Sequence, residues 1–284
     1  MLNGNVKILV TSRSGSGSWA IRGEQLGAAI GATVERNASK IKGYDVVVMV
    51  KRPKPDLLHR IKSVGVPIVW DIVDAWPQPE GNSWGRETCL KWLREEVQAI
   101  KPVGIVAATQ AMAADCAEFG VPVLTLPHHA RPNQMPNPIR LRVQTVGYEG
   151  SANYLGAWNE TLQVESAMRG WRFIVNPAHL ADLDIVVAMR SHKGYAAQHW
   201  KSNVKLANAQ GTGTPCVVNR ERGYVETAKG GIQWADNREE LSAAFDYLTD
   251  VHTRRAVSAD LREGDITLKA TAGTYRSWLG QLKF

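Results

Sequence analysis

Short apolar runs alternate with amphipathic stretches through the first 130 residues. The runs are rich in β-branched residues and apolar on both faces, which is typical of strands buried in a parallel sheet. They lie at 6–12, 46–52, 66–73, 104–109 and 121–126, and four helical stretches follow at 21–31, 55–65, 83–101 and 110–120. Three of these four helices end in glycine, a common helix stop. The alternation predicts right-handed βαβ units in a doubly wound sheet.

A second alternating series begins at residue 142. Strand patterns lie at 142–148, 171–176, 184–190 and 215–219, and helix patterns at 159–170, 203–211 and 237–262. Between the two series, residues 131–141 contain three prolines and no periodicity, the composition of a linker. We therefore predict an α/β fold of two Rossmann-like doubly wound domains, 1–130 and 142–265. Ligands of such folds bind at the carboxyl ends of the strands, so we expect a cleft between the two sheets.

Charge and cysteine content narrow the classes of protein further. The chain carries 34 Lys and Arg against 27 Asp and Glu, a net charge of +7, which favours anionic partners such as nucleic acid, acidic lipid or phosphorylated ligands. The longest apolar runs are too short to cross a bilayer, and the amino terminus lacks the pattern of a secretion signal. We expect a cytoplasmic protein. Three widely spaced cysteines indicate neither a disulfide framework nor a zinc site.

The stretch KSNVKLANAQGTGTPCVV, residues 201–218, contains the most informative chemistry. Ser202 and Asn203 open a helix at the carboxyl end of a strand, where unpaired amides and the helix dipole attract a phosphate. Lys205 in the first turn opposes that dipole unless an anion is bound, although a solvated surface lysine is the alternative. Beyond the following strand, Glu226 is placed to accept the hydroxyls of a ribose.

The run from 201 to 226 resembles the donor-binding segment of GT-B glycosyltransferases. The matching positions are Lys205, the turn from Gly213 to Pro215, and Glu226, and the resemblance extends over both halves of the chain. It implies a nucleotide-sugar co-substrate, with a UDP-sugar as the first choice, no tightly bound cofactor and no metal ion. It also places Asn203 and Tyr224 in the donor site, and it implies that a helix at 266–284 crosses back to the first domain.

One departure from the GT-B pattern concerns the charges around the donor phosphates. Retaining members usually carry a glutamate before this helix and a cation after the first strand of the second domain. Here that strand leads into GYEGSANYLG, residues 147–156, which has no cation. Arg190 or Lys193 at the end of another strand would supply the missing charge. The stereochemical class therefore stays open.

The loop SRSGSGSWAIRGEQ, residues 12–25, follows the first strand. Its glycine spacing matches neither the dinucleotide fingerprint nor the Walker loop, which argues against a kinase or NTPase. By the resemblance, Gly15, Ser16 and Gly17 approach the donor phosphates and the transferred sugar; a flexible surface loop is the alternative.

The acceptor side is assigned to the first domain. Asp74 follows a buried strand and is a candidate general base, with a turn-capping role as the alternative. His128 at the hinge is a candidate contact of the transferred sugar, unless it is structural. Further candidates for acceptor binding are Arg22, Lys51, Arg52 and Trp76.

We interpret the chain as a glycosyltransferase that acts on an acceptor hydroxyl. A hydroxymethylated base in DNA is the acceptor we place first, as in the DNA-modifying glycosyltransferases of bacteriophages, in which case the enzyme works in the host cytoplasm. The alternatives are a cell-envelope saccharide or lipid glycosyltransferase, a nucleotide-sugar epimerase, and a non-catalytic nucleic-acid-binding protein. We expect a monomer or a weak dimer.

Overall fold

The computed structural model describes residues 6–13, 15, 17–78, 83–191 and 193–283. Ser16, a predicted donor contact, lies outside the described residues. The chain divides into two compact units. The first unit comprises Met1–His128, Lys193–Ser202 and Leu268–Phe284, and the second unit comprises His129–His192 and Asn203–Thr267.

The first unit is built on a six-stranded sheet in the order β2-β1-β3-β4-β5-β6, and all of its strand pairs are parallel. The strands are β1 Ile8–Thr11, β2 Thr33–Val34, β3 Val46–Val50, β4 Ile68–Asp71, β5 Gly104–Ala107 and β6 Val123–Thr125. The helices between them are α1 Leu26–Ala29, which continues a π-helical segment Trp19–Gln25, α2 Pro55–Val64, α3 Arg86–Ile100 and α4 Gln110–Cys116.

The second half of the chain forms a five-stranded parallel sheet in the order β11-β10-β9-β7-β8. Its strands are β7 Thr145–Tyr148, β8 Arg172–Val175, β9 Ile185–Ala188, β10 Cys216–Val218 and β11 Ile232–Trp234. The helices are α5 Trp158–Met168, α6 Tyr195–His199, α7 Val204–Thr212, α8 Arg222–Thr227, α9 Arg238–Tyr247, α10 Val251–Glu263 and α11 Leu268–Leu279. Of these, α6 and α11 belong to the first unit.

Strand β3 shows why both faces of the first sheet are apolar. Successive side chains of a strand point to opposite faces. Val47 and Met49 accordingly pack in one core, whereas Val46, Val48 and Val50 pack in the other. Helices must cover both faces, which explains why the apolar runs in this half are continuous rather than alternating.

The segments of α6 and α11, which come late in the sequence, each cover one face of the first sheet. Ala272, Tyr275 and Leu279 of α11 join the core that contains Val48. Ala196 and Trp200, in and just after α6, join the opposite core. The first unit therefore contains side chains from three separate stretches of sequence.

Several short elements differ from the predicted pattern. The helix predicted over 237–262 is two helices, because helical structure is interrupted before Asp250. The Asp250 carboxylate accepts a hydrogen bond from the Thr253 amide at 2.7 Å and caps the amino terminus of α10. Strands β2 and β11 and helices α6 and α8 were not predicted. Each has six residues or fewer, too few to show a clear hydrophobic period.

Within the described ranges, no helix combines the length and the apolar composition needed to cross a membrane.

Candidate functional site

The carboxyl edge of the second sheet brings together residues that follow three neighbouring strands. Strands β7, β9 and β10 are adjacent and parallel, so they end at the same edge. Glu149 follows β7, Arg190 lies two residues beyond β9, and Glu221 lies three residues beyond β10. This edge is where open α/β sheets bind ligands.

Lys205, the central sequence prediction, lies at this edge. Its ammonium group donates a hydrogen bond to the backbone carbonyl of Glu149 and lies 4.4 Å from the ring centroid of Tyr148. Gly150 permits the approach, because a Cβ atom there would lie 2.8 Å from Lys205 Nζ, and its φ of +127° is one that other residues rarely adopt. Lys205 is therefore a fixed, half-buried cation in the first turn of α7.

The carboxylate of Glu149 is held by two further residues of the second unit. Arg131 forms an ion pair with Oε1, and Asn208 Nδ2 donates to Oε2 at 2.9 Å. The Asn208 Oδ1 atom in turn accepts from the Arg131 amide at 2.9 Å. Sequence reasoning missed both residues, although Asn208 lies three positions after Lys205 and thus on the same helix face.

Arg190 makes a buried ion pair with Glu221, whose side chain is 6% exposed. The guanidinium carbon also lies 5.3 Å from the ring centroid of Tyr224. Arg190 was predicted to supply positive charge to the donor phosphates, and in the structure its guanidinium pairs with Glu221. Arg131 at this edge is paired with the carboxylate of Glu149, and Lys205 contacts the backbone carbonyl of Glu149 and the ring of Tyr148.

Two tyrosines line this edge with buried hydroxyl groups. Burial raises the pKa of Tyr148 to about 12 and places that of Tyr224 well above its ordinary value, so both stay neutral. Neither hydroxyl has a hydrogen-bond partner in the part of the chain that the structure describes. Tyr224, a predicted donor contact, is fully buried beside Arg190.

Two other predicted donor residues belong to the segments of α7 and α8. Asn203 is fully buried at the amino-terminal end of α7, and its carbonyl accepts from the Ala207 amide at 2.9 Å. Glu226 lies within α8 rather than in the predicted loop, and its Oε1 accepts from Arg222 Nε, one turn earlier, at 2.9 Å.

A second polar cluster lies at the carboxyl edge of the first sheet. Lys51 follows β3 and Asp74 lies three residues beyond the neighbouring strand β4. The Oδ1 atom of Asp74 lies 2.5 Å from Lys51 Nζ and accepts from Ser18 Oγ at 3.2 Å. Its Oδ2 atom accepts from Gln78 Nε2 at 2.7 Å and lies 3.6 Å from Lys201 Nζ.

The surroundings of Asp74 make it a poor base. Burial alone would raise its pKa, but the charges of Lys201 and Lys51 and the hydrogen bonds from Lys51 and Gln78 outweigh burial and hold it well below the ordinary value. Both carboxylate oxygens are already engaged by two groups each. Asp74, predicted as a general base, is thus better suited to holding the two lysines than to removing a proton.

Lys201 was not among the sequence candidates, although it begins the stretch that carried the donor prediction. It belongs to the first unit, where its ammonium donates to Gln78 Oε1 at 2.8 Å and lies 5.2 Å from the ring centroid of Trp76. Nothing in the local pattern around Lys201 reveals this, because its partners are remote in sequence.

Asp115 fixes the segment that carries Lys201. Its Oδ2 atom accepts from the Tyr195 hydroxyl and from Trp200 Nε1, each at 2.8 Å. Its Oδ1 atom pairs with Arg86 at 2.8 Å. In addition, the hydroxyl of Thr109 donates to the carbonyl of His199 at 2.8 Å.

Two residues predicted to bind the acceptor are buried in the first unit and present no surface to a ligand. Arg22 is 1% exposed, donates to the carbonyl of Leu126, and lies 3.8 Å from Asp71. Trp76 has no exposed surface and packs edge-on against Trp200, with 6.0 Å between the two ring centroids. A contact of either side chain with an acceptor would therefore require it to become accessible.

The remaining candidates of the first unit differ in their exposure to solvent. Gly15 and Gly17 are exposed, and Arg52 is half-buried within electrostatic range of Glu96. His128 is 1% exposed, so the predicted sugar contact would require it to become accessible. Among the described residues, no three His, Cys, Asp or Glu side chains come together as a metal-binding group.

No family model matches this sequence, and no curated protein matches it. Solved structures do match. The Anabaena HepE structure in complex with UDP-glucose superposes with a TM-score of 0.70 over 98% of this chain and 100% of that chain, at 12% identity. Sucrose-phosphate synthase from Thermosynechococcus elongatus gives a TM-score of 0.68 over 97% of this chain and 98% of that chain, at 10% identity.

A structure of OtsA without ligands gives a TM-score of 0.62 over 98% of this chain and 100% of that chain, at 10% identity. These similarities cover almost the whole chain, and both of its parallel sheets have the strand order and helical layers described above. The chain has the GT-B fold, as the sequence resemblance implied.

Proposed function

We propose that this protein is a glycosyltransferase that moves a sugar from a UDP-sugar to an acceptor hydroxyl. The observation that carries the proposal is the fixed ammonium group of Lys205 at the start of α7, at the carboxyl edge of the second sheet. The GT-B fold supports it, and two similar structures, both of Anabaena HepE, contain UDP with glucose or UDP-glucose.

In this proposal the second unit binds the donor. Lys205 and the backbone amides at the amino-terminal end of α7 bind the diphosphate. Glu226 binds the ribose hydroxyls, for which it must exchange its contact with the half-exposed Arg222. Arg190 contributes through Glu221 and Tyr224, by keeping this wall of the site in place.

The transfer breaks the bond between the sugar C1 atom and the diphosphate oxygen and forms a bond from C1 to the acceptor oxygen. Negative charge builds up on the departing diphosphate, and a preorganised cation stabilises that charge more in the transition state than in the ground state. Lys205 is suited to this role, because its position is set before the donor binds. The acceptor hydroxyl loses its proton in the same reaction, and Asp74 is too weak a base to be our choice for it.

The acceptor belongs to the first unit in this proposal, and a hydroxymethylated base in DNA is the acceptor we place first. The net charge of +7 supports it. The base must leave the stack to reach the enzyme. Envelope saccharide and lipid acceptors, and epimerisation of the donor, are the competing activities.

The donor assignment is tested by calorimetric titration with UDP. Wild-type protein should bind UDP, and Lys205→Ala should bind it about 10- to 150-fold more weakly, since a charge-assisted contact contributes about 1.5 to 3 kcal/mol. Lys229→Ala, which removes an exposed lysine of the same unit, is the matched control and should bind like wild type. Wild-type affinity in Lys205→Ala would show that the donor assignment is wrong.

The acceptor assignment is tested with labelled UDP-sugars and a panel of hydroxymethylated DNA, plain DNA, lipid and saccharide acceptors. Label in hydroxymethylated DNA alone would support the DNA proposal, and its Michaelis constant should rise steeply with salt, by a log-log slope of about 0.9 per phosphate contact. Label in lipid or saccharide, or a converted free UDP-sugar, would replace DNA with the corresponding alternative.

A further inference from the structure

A cavity of about 520 Å³ lies at the amino edge of the first sheet, where residues at or before the first residues of β1, β2 and β3 meet. We propose that this cavity binds the phosphate group of a small organic phosphate, through Lys7, Lys40 and Lys42. The site goes beyond the proposed function. Lys51 and Asp74, the acceptor candidates that follow β3 and β4, lie at the opposite, carboxyl edge of the same parallel sheet.

The first argument is that three cations meet at the cavity. Lys7 lies at the start of β1, and Lys40 and Lys42 lie in the segment that leads into β3. None of the three ammonium groups forms an ion pair with a residue that the structure describes. The carboxylate of Asp45 accepts from the Lys7 backbone amide at 2.7 Å, and it is a single negative charge beside three positive ones. Because like charges repel, an anion bound among the lysines would be stabilised.

The second argument is the shape of the site. Its volume lies within the range of small-molecule pockets, and a concave surface lined by charges of one sign concentrates ligands of the opposite sign. Gly31 and Gly43 line it with φ angles of +76° and +98°. In the described structure, a Cβ atom at either glycine would meet nothing within 4 Å beyond its chain neighbours. The backbone therefore faces open space that a ligand can enter without displacing a side chain.

The third argument is the apolar wall beside the lysines. Ile8 is 4% exposed and belongs to one core of the first unit, and the half-buried ring of Tyr44 packs against the other core. Both residues line the cavity. Apolar walls strengthen the electrostatic field of the charges next to them. The ring of Tyr44, fixed by the core, also offers a surface to the organic part of a ligand.

The fourth argument concerns the class of anion. A phosphate monoester carries a charge of about −1.5 to −2 at pH 7 and three acceptor oxygens, which matches three ammonium groups better than the single charge of a carboxylate does. The ammonium group of lysine binds phosphate as a compact point charge. The concave shape favours a small molecule over a polymer, which would need an extended charged surface.

Small organic phosphates come from two sources, nucleotides and sugar phosphates, and calorimetry on the full chain separates them. The probes are AMP and glucose 6-phosphate, with adenosine and glucose as the matched compounds that lack phosphate. At least one phosphate probe should bind at least about 10-fold more tightly than its match, because the phosphate adds charge-assisted contacts. Preference for AMP alone identifies a nucleotide, preference for glucose 6-phosphate alone identifies a sugar phosphate, and preference for both shows that the phosphate group is sufficient.

Substitutions then locate the bound probe. The double substitution of Lys40→Met with Lys42→Met and, separately, Lys7→Met should each weaken the phosphate probe at least about 10-fold, whereas Lys40→Arg with Lys42→Arg should retain most of the affinity. Lys91→Met, which removes an exposed lysine on α3, is the control and should bind like wild type. All three lysines of the cavity are exposed, so their substitution should leave the fold intact, and circular dichroism checks this.

Lys205→Ala separates the cavity from the proposed donor site. This variant should bind the phosphate probe like wild type and lose affinity for UDP, whereas the double Met variant should do the opposite. If neither phosphate probe is preferred over its match, or if the Met variants bind it like wild type, the cavity is not a phosphate site. A probe that loses affinity only in Lys205→Ala lies in the donor site and also overturns the inference. Failure of wild-type protein to bind UDP contradicts the proposed function alone.

Discussion

Asp71, at the end of β4, should make the first unit less stable as the pH rises. The side chain is 1% exposed, and burial raises its pKa from 3.8 to about 6, although the charge of Arg22 and a hydrogen bond from the Val73 backbone act in the opposite direction. In the unfolded chain the same carboxyl ionises near its ordinary pKa. Between about pH 4 and pH 6, the native state therefore keeps a proton that the unfolded state has lost.

The difference between the native and unfolded pKa values of Asp71 sets the size of the change in stability. A carboxyl that binds its proton more tightly in the native state lowers the free energy of unfolding as the pH rises through this window, and the loss levels off at about pH 7, one unit above the native pKa. A change from 3.8 to about 6 corresponds to about 3 kcal/mol at about 1.4 kcal/mol per unit. Asp71→Asn keeps the shape of the neutral acid and does not ionise, so its stability lacks this pH dependence.

Urea unfolding of wild type and Asp71→Asn at pH 4, 5, 6 and 8 measures the effect, with hydrogen exchange used to assign the transition of the first unit. The free energy of unfolding of the variant relative to wild type should increase by about 2 kcal/mol from pH 4 to pH 8, with most of the change before pH 6.5. Glu95→Gln, an exposed carboxyl on α3, is the control. If the free energy of unfolding of the variant relative to wild type does not vary with pH, or decreases as the pH rises, the pKa of Asp71 is not raised in the native state.

Three further predictions concern the second unit. Gly150→Ala should weaken UDP binding in calorimetry and lower the melting temperature. The new methyl group would lie 2.8 Å from Lys205 Nζ, and the backbone conformation at Gly150 is strained for any other residue. Unchanged UDP affinity would contradict this prediction. Tyr224→Phe should raise the free energy of urea unfolding by about 1 kcal/mol, since it removes a buried hydroxyl that has no partner among the described residues, and a loss of stability would show that the hydroxyl is satisfied. Glu226→Gln should reduce UDP affinity more than acceptor affinity, and Arg222→Ala is the control for the lost ion pair. If Glu226→Gln binds UDP as tightly as wild type, another residue contacts the ribose.

The order of strands and helices was largely readable from the sequence. Doubly apolar runs such as 46–50 predict strands covered on both faces, and the structure places Val47 and Val48 in opposite cores. The helix that begins after Asn203 was likewise predicted, together with the cation in its first turn. These features depend on neighbours a few positions apart, so the periodicity of the chain itself encodes them.

The partners of the charged residues were not readable in this way. Arg190 was expected to face a phosphate, and the structure pairs it with Glu221; Arg22 was expected to face an acceptor, and the structure buries it near Asp71. Arg190 follows β9 and Arg22 lies in the π-helical segment Trp19–Gln25, and the local sequence of neither residue shows which distant group its side chain contacts.

Lys201 shows the physical reason for this division. The sequence by itself determined that a lysine precedes α7, but only the tertiary structure decided that the lysine belongs to the first unit and contacts Asp74 and Gln78. Hydrophobic periodicity is a local property that survives in any short window, whereas an ion pair depends on where two distant segments are brought together by the packing of the cores between them. That placement is a property of the whole fold, and no window of the sequence contains it.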